Sequence, residues 1–238
     1  MTNQEFSDTF DTLLNSYGTQ AQFGEQASKR EIVLDEYEKS LFLTKAQTEM
    51  VVKLYSGKNL NGDSFESTEE LRRYLESLVK TVSYSKDDEI SGIGVSASSV
   101  FFKLPNDLAF ITMEQVIYSD ESLGCYDGNR ASVFPVTQDE YNKVKDNPFR
   151  GPTRYKVIRI DCGNQEVELI SKYKIGTYLL KYLSKPSPII LEDLPNNLTI
   201  EGDSIETKCK LNSMLHYKLL ERAVEMALIS KGINVRND

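Results

Sequence analysis

Residues 95–118 read Val-Ser-Ala-Ser-Ser-Val-Phe-Phe-Lys-Leu-Pro-Asn-Asp-Leu-Ala-Phe-Ile-Thr-Met-Glu-Gln-Val-Ile-Tyr, and this stretch decides the fold class. Val95 to Leu104 and Ala109 to Tyr118 are runs rich in β-branched and aromatic residues. Pro105-Asn-Asp107 between them is turn chemistry, so the pair reads as two strands. The same signature recurs on both sides, at Thr81 to Ser85, Ala131 to Val136, Tyr155 to Ile160, Val167 to Ile170 and Thr177 to Leu183. Several antiparallel strands are expected. One short helix near 137–145 interrupts them, announced by the capping-box pattern Thr137-Gln-Asp-Glu140 and carried by Tyr141 and Val144.

Before residue 80 the period changes from two to that of a helix. Phe6, Phe10, Leu13, Leu14 and Tyr17 form one amphipathic stripe, which fades into a loop over residues 18–24. Residues 1–34 are either an arm that docks on a partner or the first helix of the core. Asp35 with Glu38 opens a second helix with apolar positions at Tyr37, Leu41, Ala46, Met50, Val51, Leu54 and Tyr55, and Gly57 stands where a left-handed cap is wanted. Asn59-Leu-Asn-Gly-Asp63 reads as a turn, and Ser67 with Glu70 opens a third helix through Leu71, Tyr74, Leu75, Leu78 and Val79. At the other end, a helix from about Asn212 or Ser213 to Lys231 is apolar on more than one side and stops at Gly232. Lys185-Pro-Ser-Pro-Ile-Ile-Leu191 must be extended, because residues before proline avoid the helical region. The expected fold is α+β: a helical bundle of N-terminal helices plus the C-terminal helix, with an inserted antiparallel β-rich subdomain. The expected boundaries are 1–80 for the N-terminal arm and helices, 81–210 for the insertion, and 211–238 for the returning helix.

Composition narrows the function. The 238 residues carry 39% hydrophobic and 27% charged side chains, ordinary for a folded chain long enough to bury a core. No apolar run approaches the roughly 20 residues that span a bilayer, so no membrane partner is expected. The first residues lack the basic and apolar leader of a secretory signal. Cys125, Cys162 and Cys209 are far apart and odd in number, which suits reduced, buried thiols of a cytoplasmic setting. The net charge of −8 disfavours a general nucleic-acid binder. Charge is unevenly spread. Residues 1–89 hold 10 Lys and Arg against 17 Asp and Glu, whereas residues 143–185 hold 10 against 4. Such segments serve either as complementary subunit faces or as plain solvated surface.

The search for chemistry returns little. His216 is the only histidine, so a catalytic triad would depend on it alone, and a structural or solvent-facing role is expected. No cysteines have zinc-site spacing and no phosphate loop or nucleophile elbow is present, so neither metal nor cofactor is expected. Gly92-Ile-Gly94-Val-Ser-Ala97 resembles a dinucleotide fingerprint, but strand-like Val100 to Leu104 follows where a helix is required. Asp87-Asp-Glu89 is read as a solvated acidic turn, since it lacks the alternating ligands of a calcium loop. A carboxylate pair acting as acid and base leaves no signature in sequence, so an enzyme of that kind stays open. The segment from Tyr141 to Arg159 is more suggestive. It joins Tyr141, Phe149 and Tyr155 to Lys143, Lys145, Arg150, Arg154, Lys156 and Arg159. Three readings stand: a strand with ordinary surface lysines, a protein–protein anchor, or a nucleic-acid contact within the basic 143–185 segment.

The order of several phrases resembles a family of virion proteins of crAss-like and other gut bacteriophages. They are Met1-Thr-Asn-Gln-Glu-Phe-Ser-Asp-Thr-Phe-Asp11, Leu34-Asp-Glu-Tyr-Glu-Lys-Ser-Leu-Phe-Leu-Thr-Lys-Ala-Gln47, Phe134-Pro-Val-Thr-Gln-Asp-Glu-Tyr141 with Asn147-Pro-Phe149, Tyr178-Leu-Leu-Lys-Tyr-Leu-Ser-Lys-Pro186, and Leu215-His-Tyr-Lys-Leu-Leu-Glu-Arg-Ala-Val-Glu225. The resemblance implies an adaptor or ring protein of the head–tail connector, with no enzymatic activity and no cofactor. It further implies a homo-oligomeric ring, expected to be a dodecamer, that sits below the portal protein, meets other connector or tail proteins and passes genomic DNA without sequence-specific binding. The implied place is the virion, after assembly in the host cytoplasm. Under this reading Tyr141, Phe149, Arg150, Arg154, Tyr155 and Arg159 are interface candidates. Glu69, Glu70, Glu76, Asp87, Asp88 and Glu89 are candidates to line the channel. A capsid or cargo role, or a nucleic-acid module built on 143–185, is the alternative.

Overall fold

A computed structural model describes residues 1–21, 32–57, 69–195 and 197–233. The chain divides into two units, Met1–Leu78 with Pro186–Asp238, and Val79–Lys185. The turn at 59–63, the Ser67 cap and residues 22–24 of the expected loop lie outside the described residues.

The first unit is helical. Helix α1 (Asn3–Ala21) buries Phe6, Phe10 and Leu14, spaced four apart so that they share one face. It continues through residues 18–21, which were expected to form a loop. Helix α2 (Glu36–Ser56) starts at Asp35, whose side chain accepts the Glu38 amide at 2.7 Å, and ends at Gly57 with φ 72°. The reciprocal half of the box is replaced by an ion pair, Glu38 to Lys231 at 3.3 Å. Helix α3 (Glu69–Leu75) is short. Helix α5 (His216–Ser230) follows a single 3₁₀ turn capped by Asn212 and buries Leu219, Leu220, Ala223, Val224, Ala227 and Leu228 against α1 and α2.

Helix α2 differs from the expected apolar pattern. Among its predicted core positions only Ala46 and Val51 are buried, while Tyr37, Leu41, Met50, Leu54 and Tyr55 are half-buried. The buried face instead includes Ser40, Thr44 and Gln47. These hold the extended segment 187–191 through its backbone: Leu191 N–H donates to Ser40 Oγ at 3.0 Å, Ile189 N–H to Thr44 Oγ1 at 3.0 Å, and Gln47 Nε2 donates to Ser187 O at 3.0 Å. A strand-like segment buried beside a helix cannot share a ladder, so side-chain hydroxyls and an amide satisfy its polar groups. Asn3 completes the grip, donating to Ile190 O at 3.0 Å and Glu206 at 2.9 Å. These bonds tie 186–210 to the helical unit, whereas 210 was expected to close the β insertion.

Lys39 is buried at 3% exposure and joins α1 to α2, with Asp11 at 2.7 Å, Glu36 at 2.8 Å and Ser7 at 3.0 Å. Burial alone would lower its pKa, but the hydrogen bonds and charges of the two acids outweigh it and hold it raised.

His216 is also interior. One ring nitrogen meets Leu211 O at 3.1 Å, the other lies 3.5 Å from the Met1 amino nitrogen, and the Phe6 ring packs at 5.0 Å. Burial, offset in part by the Leu211 carbonyl, lowers its pKa from 6.5. Below pH 6.5 the unfolded chain therefore takes up a proton that the folded chain refuses, and stability falls as pH drops toward the folded value. We expect the urea midpoint to fall between about pH 7.5 and about pH 5.5 more steeply in wild type than in His216→Phe. Equal slopes would remove His216 from the account.

The second unit is a seven-stranded, mostly antiparallel sheet in the order β1-β7-β3-β4-β5-β6-β2. Its strands are β1 (Val79–Ser85), β2 (Ser99–Lys103), β3 (Leu108–Tyr118), β4 (Arg130–Pro135), β5 (Lys156–Gly163), β6 (Glu166–Ile170) and β7 (Ile175–Ser184). The predicted strand 95–104 is shorter, since residues 95–98 form a turn. One pairing departs from the expected antiparallel arrangement: β4 and β5 run parallel, with Ser132 opposite Lys156 and Phe134 opposite Ile158. Parallel neighbours need a crossover connection, and helix α4 (Gln138–Val144) supplies it. Thr137 does precede α4, but its side chain makes no capping bond to the backbone.

Both faces of β5 and β6 are covered. Phe102, Val116, Val157, Val167, Leu169, Tyr178 and Leu180 belong to one core, and α4 brings Tyr141 and Val144 onto Ile158, Ile160 and Ile170 on the other. Tyr84 and Phe102 pack on Tyr178 with ring centroids 5.6 and 5.4 Å away. Burial pushes the Tyr84 phenol up to about 12.

Candidate subunit interface

The basic–aromatic segment 141–159 separates into interior and surface. Tyr141 is 7% exposed and sits in the core beneath α4. Arg159 is 8% exposed, and its Nη1 donates to Glu114 at 2.5 Å, while Asp161 lies 3.2 Å from its Nε. Tyr178 donates its hydroxyl to the other Glu114 oxygen, and burial followed by the Glu114 charge pushes the phenol far up. Two of the six candidates thus face inward, because a strand alternates its side chains and α4 needs an aromatic to fill its underside.

The other four are exposed. Asn147 Oδ1 accepts the amides of Phe149 at 2.9 Å and Arg150 at 3.1 Å, an Asx turn that holds Phe149 outward at 89% exposure. Arg154 and Tyr155 are the central residues of a tight turn closed by Thr153 N–H to Lys156 O at 2.9 Å and Lys156 N–H to Thr153 O at 3.2 Å. The Tyr118 hydroxyl braces it by donating to Thr153 O at 3.2 Å, and Ser132 N–H donates to Tyr155 O at 3.0 Å. On this platform the Arg154 guanidinium lies 4.6 Å from the ring centroids of both Tyr155 and Tyr126. Beside it, Lys156 Nζ stands 4.5 Å over the Phe134 ring. Sequence reasoning missed Tyr126 and Phe134 here. Tyr126 ends a 3₁₀ helix just before Asp127-Gly128, and Phe134 reaches the site only through the β4–β5 pairing.

The acidic candidates are all exposed and are divided between the two units. Glu69, Glu70 and Glu76 belong to the helical unit, and Asp87, Asp88 and Glu89 to the β unit. Glu69 pairs with Arg73 at 2.7 Å, Glu70 accepts the Tyr74 hydroxyl, and Asp88 accepts the Ser85 amide at 2.7 Å. That last bond, with one from the Ser85 hydroxyl, holds the Asp88 carboxyl below its usual range. Among the described residues no group of three or more His, Cys, Asp or Glu is placed to hold a metal ion. No described helix is long and apolar enough to cross a membrane.

Charge follows the units rather than the segments. Val79–Lys185 carries 14 Lys and Arg against 14 Asp and Glu, so the −8 resides wholly in the helical unit. The basic 143–185 stretch is balanced in part by acids such as Glu114, which sequence order places elsewhere.

One further expectation changes. Cys125 and Cys162 are exposed, not buried, and only Cys209 is partly covered. The Gly92–Gly94 motif serves packing. A Cβ at Gly94 would stand 2.4 Å from that of Ser99, and one at Gly92 would stand 2.8 Å from the Phe101 ring. Buried Glu168 locks the loop by accepting the Val95 amide at 2.8 Å and the Ser99 hydroxyl. A groove of about 430 Å³ opens elsewhere on this unit, with Leu104, Leu108, Phe110, Val167 and Arg159 on its walls.

Aromatic and cationic side chains are thus displayed on braced turns, over a sheet whose interior is filled. The chain belongs to the phage tail ring protein 3/4 family, whose model matches residues 1–238. It is 51% identical over 233 residues to Ring protein 3 of Bacteroides phage crAss001, covering 97% of this chain and 96% of that one. It is also 30% identical over 236 residues to Ring protein 4/5 of the same phage, covering 95% and 92%. This is a structural ring protein of the crAss-like phages.

Proposed function

We propose that copies of this chain close into a ring in the head–tail connector of the virion, below the portal, and that the genome passes through its lumen. The observation that carries this is the near full-length likeness to a protein named as a ring component, at 51% identity. A ring subunit meets its two neighbours through different faces, and rotation closes the chain of contacts. The exposed anchors Phe149, Arg150, Arg154 and Tyr155 supply one such face. Their backbone is held by turns, so little conformational entropy is left to lose on contact.

The charge distribution suits a channel. Binding DNA requires a surplus of Lys and Arg to displace counterions, and a helical unit at −8 repels phosphate instead. Glu69, Glu70 and Glu76 on this unit, with Asp87, Asp88 and Glu89 on the other, are the acids assigned to the lumen. A closed dodecamer in contact with portal and tail proteins is the assembly this reading expects.

Native mass spectrometry of the purified protein, with the particle density traced by electron microscopy, tests the reading. A closed oligomer and density at the head–tail junction are expected. Replacing Phe149 and Arg150 together with Ala is expected to shift the oligomer toward monomer at unchanged thermal stability. Unchanged assembly and portal contact in that variant would remove the loop from the interface, and a chain absent from purified particles would end the proposal.

A further inference from the structure

We propose that the Arg154 clamp of one copy receives the acidic hairpin at Glu201–Asp203 from the helical unit of the next copy. This deepens the ring reading and rests on it. The clamp is a guanidinium whose carbon lies over both the Tyr126 and the Tyr155 ring, which are 40% and 57% exposed. The guanidinium is a planar fork of N–H donors that fits a carboxylate with two parallel bonds. Among the described residues no carboxylate forms an ion pair with Arg154. Lys156 and Phe134 extend the same combination of cation and apolar ring.

The complementary surface is in the helical unit. From Pro186 to Thr207 there are five acidic residues and no Lys or Arg. Part of this stretch doubles back: Ile200 and Asp203 exchange backbone bonds of 2.8 and 3.0 Å, and Leu194 N–H donates to Ser204 O at 2.9 Å. Glu201 and Gly202 at the turn have φ of 53° and 97°, the left-handed pair that a primed hairpin turn demands. Asp193 and Glu206 are used internally, by the Glu206 amide and the Asn3 side chain. Glu201 and Asp203 stay exposed at the tip, and Ile205 beside them is 70% exposed. Carboxylates with an exposed aliphatic neighbour match a cation bounded by aromatic rings in both charge and apolar area. The two surfaces differ, which is what a head-to-tail ring contact requires.

The test is a charge swap read by native mass spectrometry on the full chain, with circular dichroism to confirm folding. Arg154→Glu alone, and Glu201→Lys with Asp203→Lys alone, are each expected to lose the oligomer that wild type forms. Mixed in equal amounts, the two variants are expected to regain it as alternating copies, because each face then meets an opposite charge. Arg154→Glu that assembles like wild type, or a mixture that stays dissociated, overturns this contact while leaving the ring reading intact. Retained assembly together with loss of salt-sensitive DNA retention would assign Arg154 to phosphate instead. A wild-type protein that never assembles overturns both proposals.

Discussion

Replacing Glu114 with Ala is expected to destabilise the β unit by about 3–5 kcal/mol, because it strands the buried Arg159 charge. Glu114 is 8% exposed and takes both Arg159 and the Tyr178 hydroxyl. The remaining partner of Arg159, Asp161, is 69% exposed by its side chain and contributes a screened interaction. Removing both charges together, as Glu114→Leu with Arg159→Met, is expected to recover much of the loss, since two apolar side chains need no partners. Urea unfolding of the single and double variants separates the cases. A single variant within about 1 kcal/mol of wild type would show that water reaches Arg159 and that the pair is not a buried one.

The second large effect is expected at α2. In Ser40→Ala with Thr44→Val, the amides of Leu191 and Ile189 lose their acceptors inside the helical unit. Each stranded buried donor costs about 1–3 kcal/mol, so the pair is expected to cost about 2–6 kcal/mol. Local opening should appear first, as faster hydrogen exchange at Ile189 and Leu191 than at the α5 amides. Exchange unchanged at both positions would mean that the segment is held by its apolar side chains alone.

These two sites mark where reading the sequence ran short. Ser40, Thr44 and Gln47 look like solvent-facing residues of an amphipathic helix, and nothing local says that a strand-like segment far down the chain will need their hydroxyls and amide. The 186–210 stretch was correspondingly assigned to the β region, although its proline content did reveal that it is extended. Arg159 and Tyr141 look like members of a surface patch because they alternate with true surface residues. Their partners, Glu114 for Arg159 and the Ile158, Ile160 and Ile170 side chains for Tyr141, lie elsewhere in the chain. The parallel β4–β5 pair was read as antiparallel for a related reason: strand propensity is the same in both arrangements, and only the crossover through α4 separates them.

By itself the sequence determined the kind and order of the elements, all seven strands to within a few residues, the caps at Asp35 and Gly57, and the family. Those signals are local: hydrophobic period, β-branching and turn chemistry act over a handful of residues, and resemblance accumulates along the chain. Tertiary structure alone decided which cations lie inside, which segment covers α2, and that Tyr126 meets Arg154. A charge or an amide can be buried only where a distant residue satisfies it, and that meeting exists only once the chain has folded.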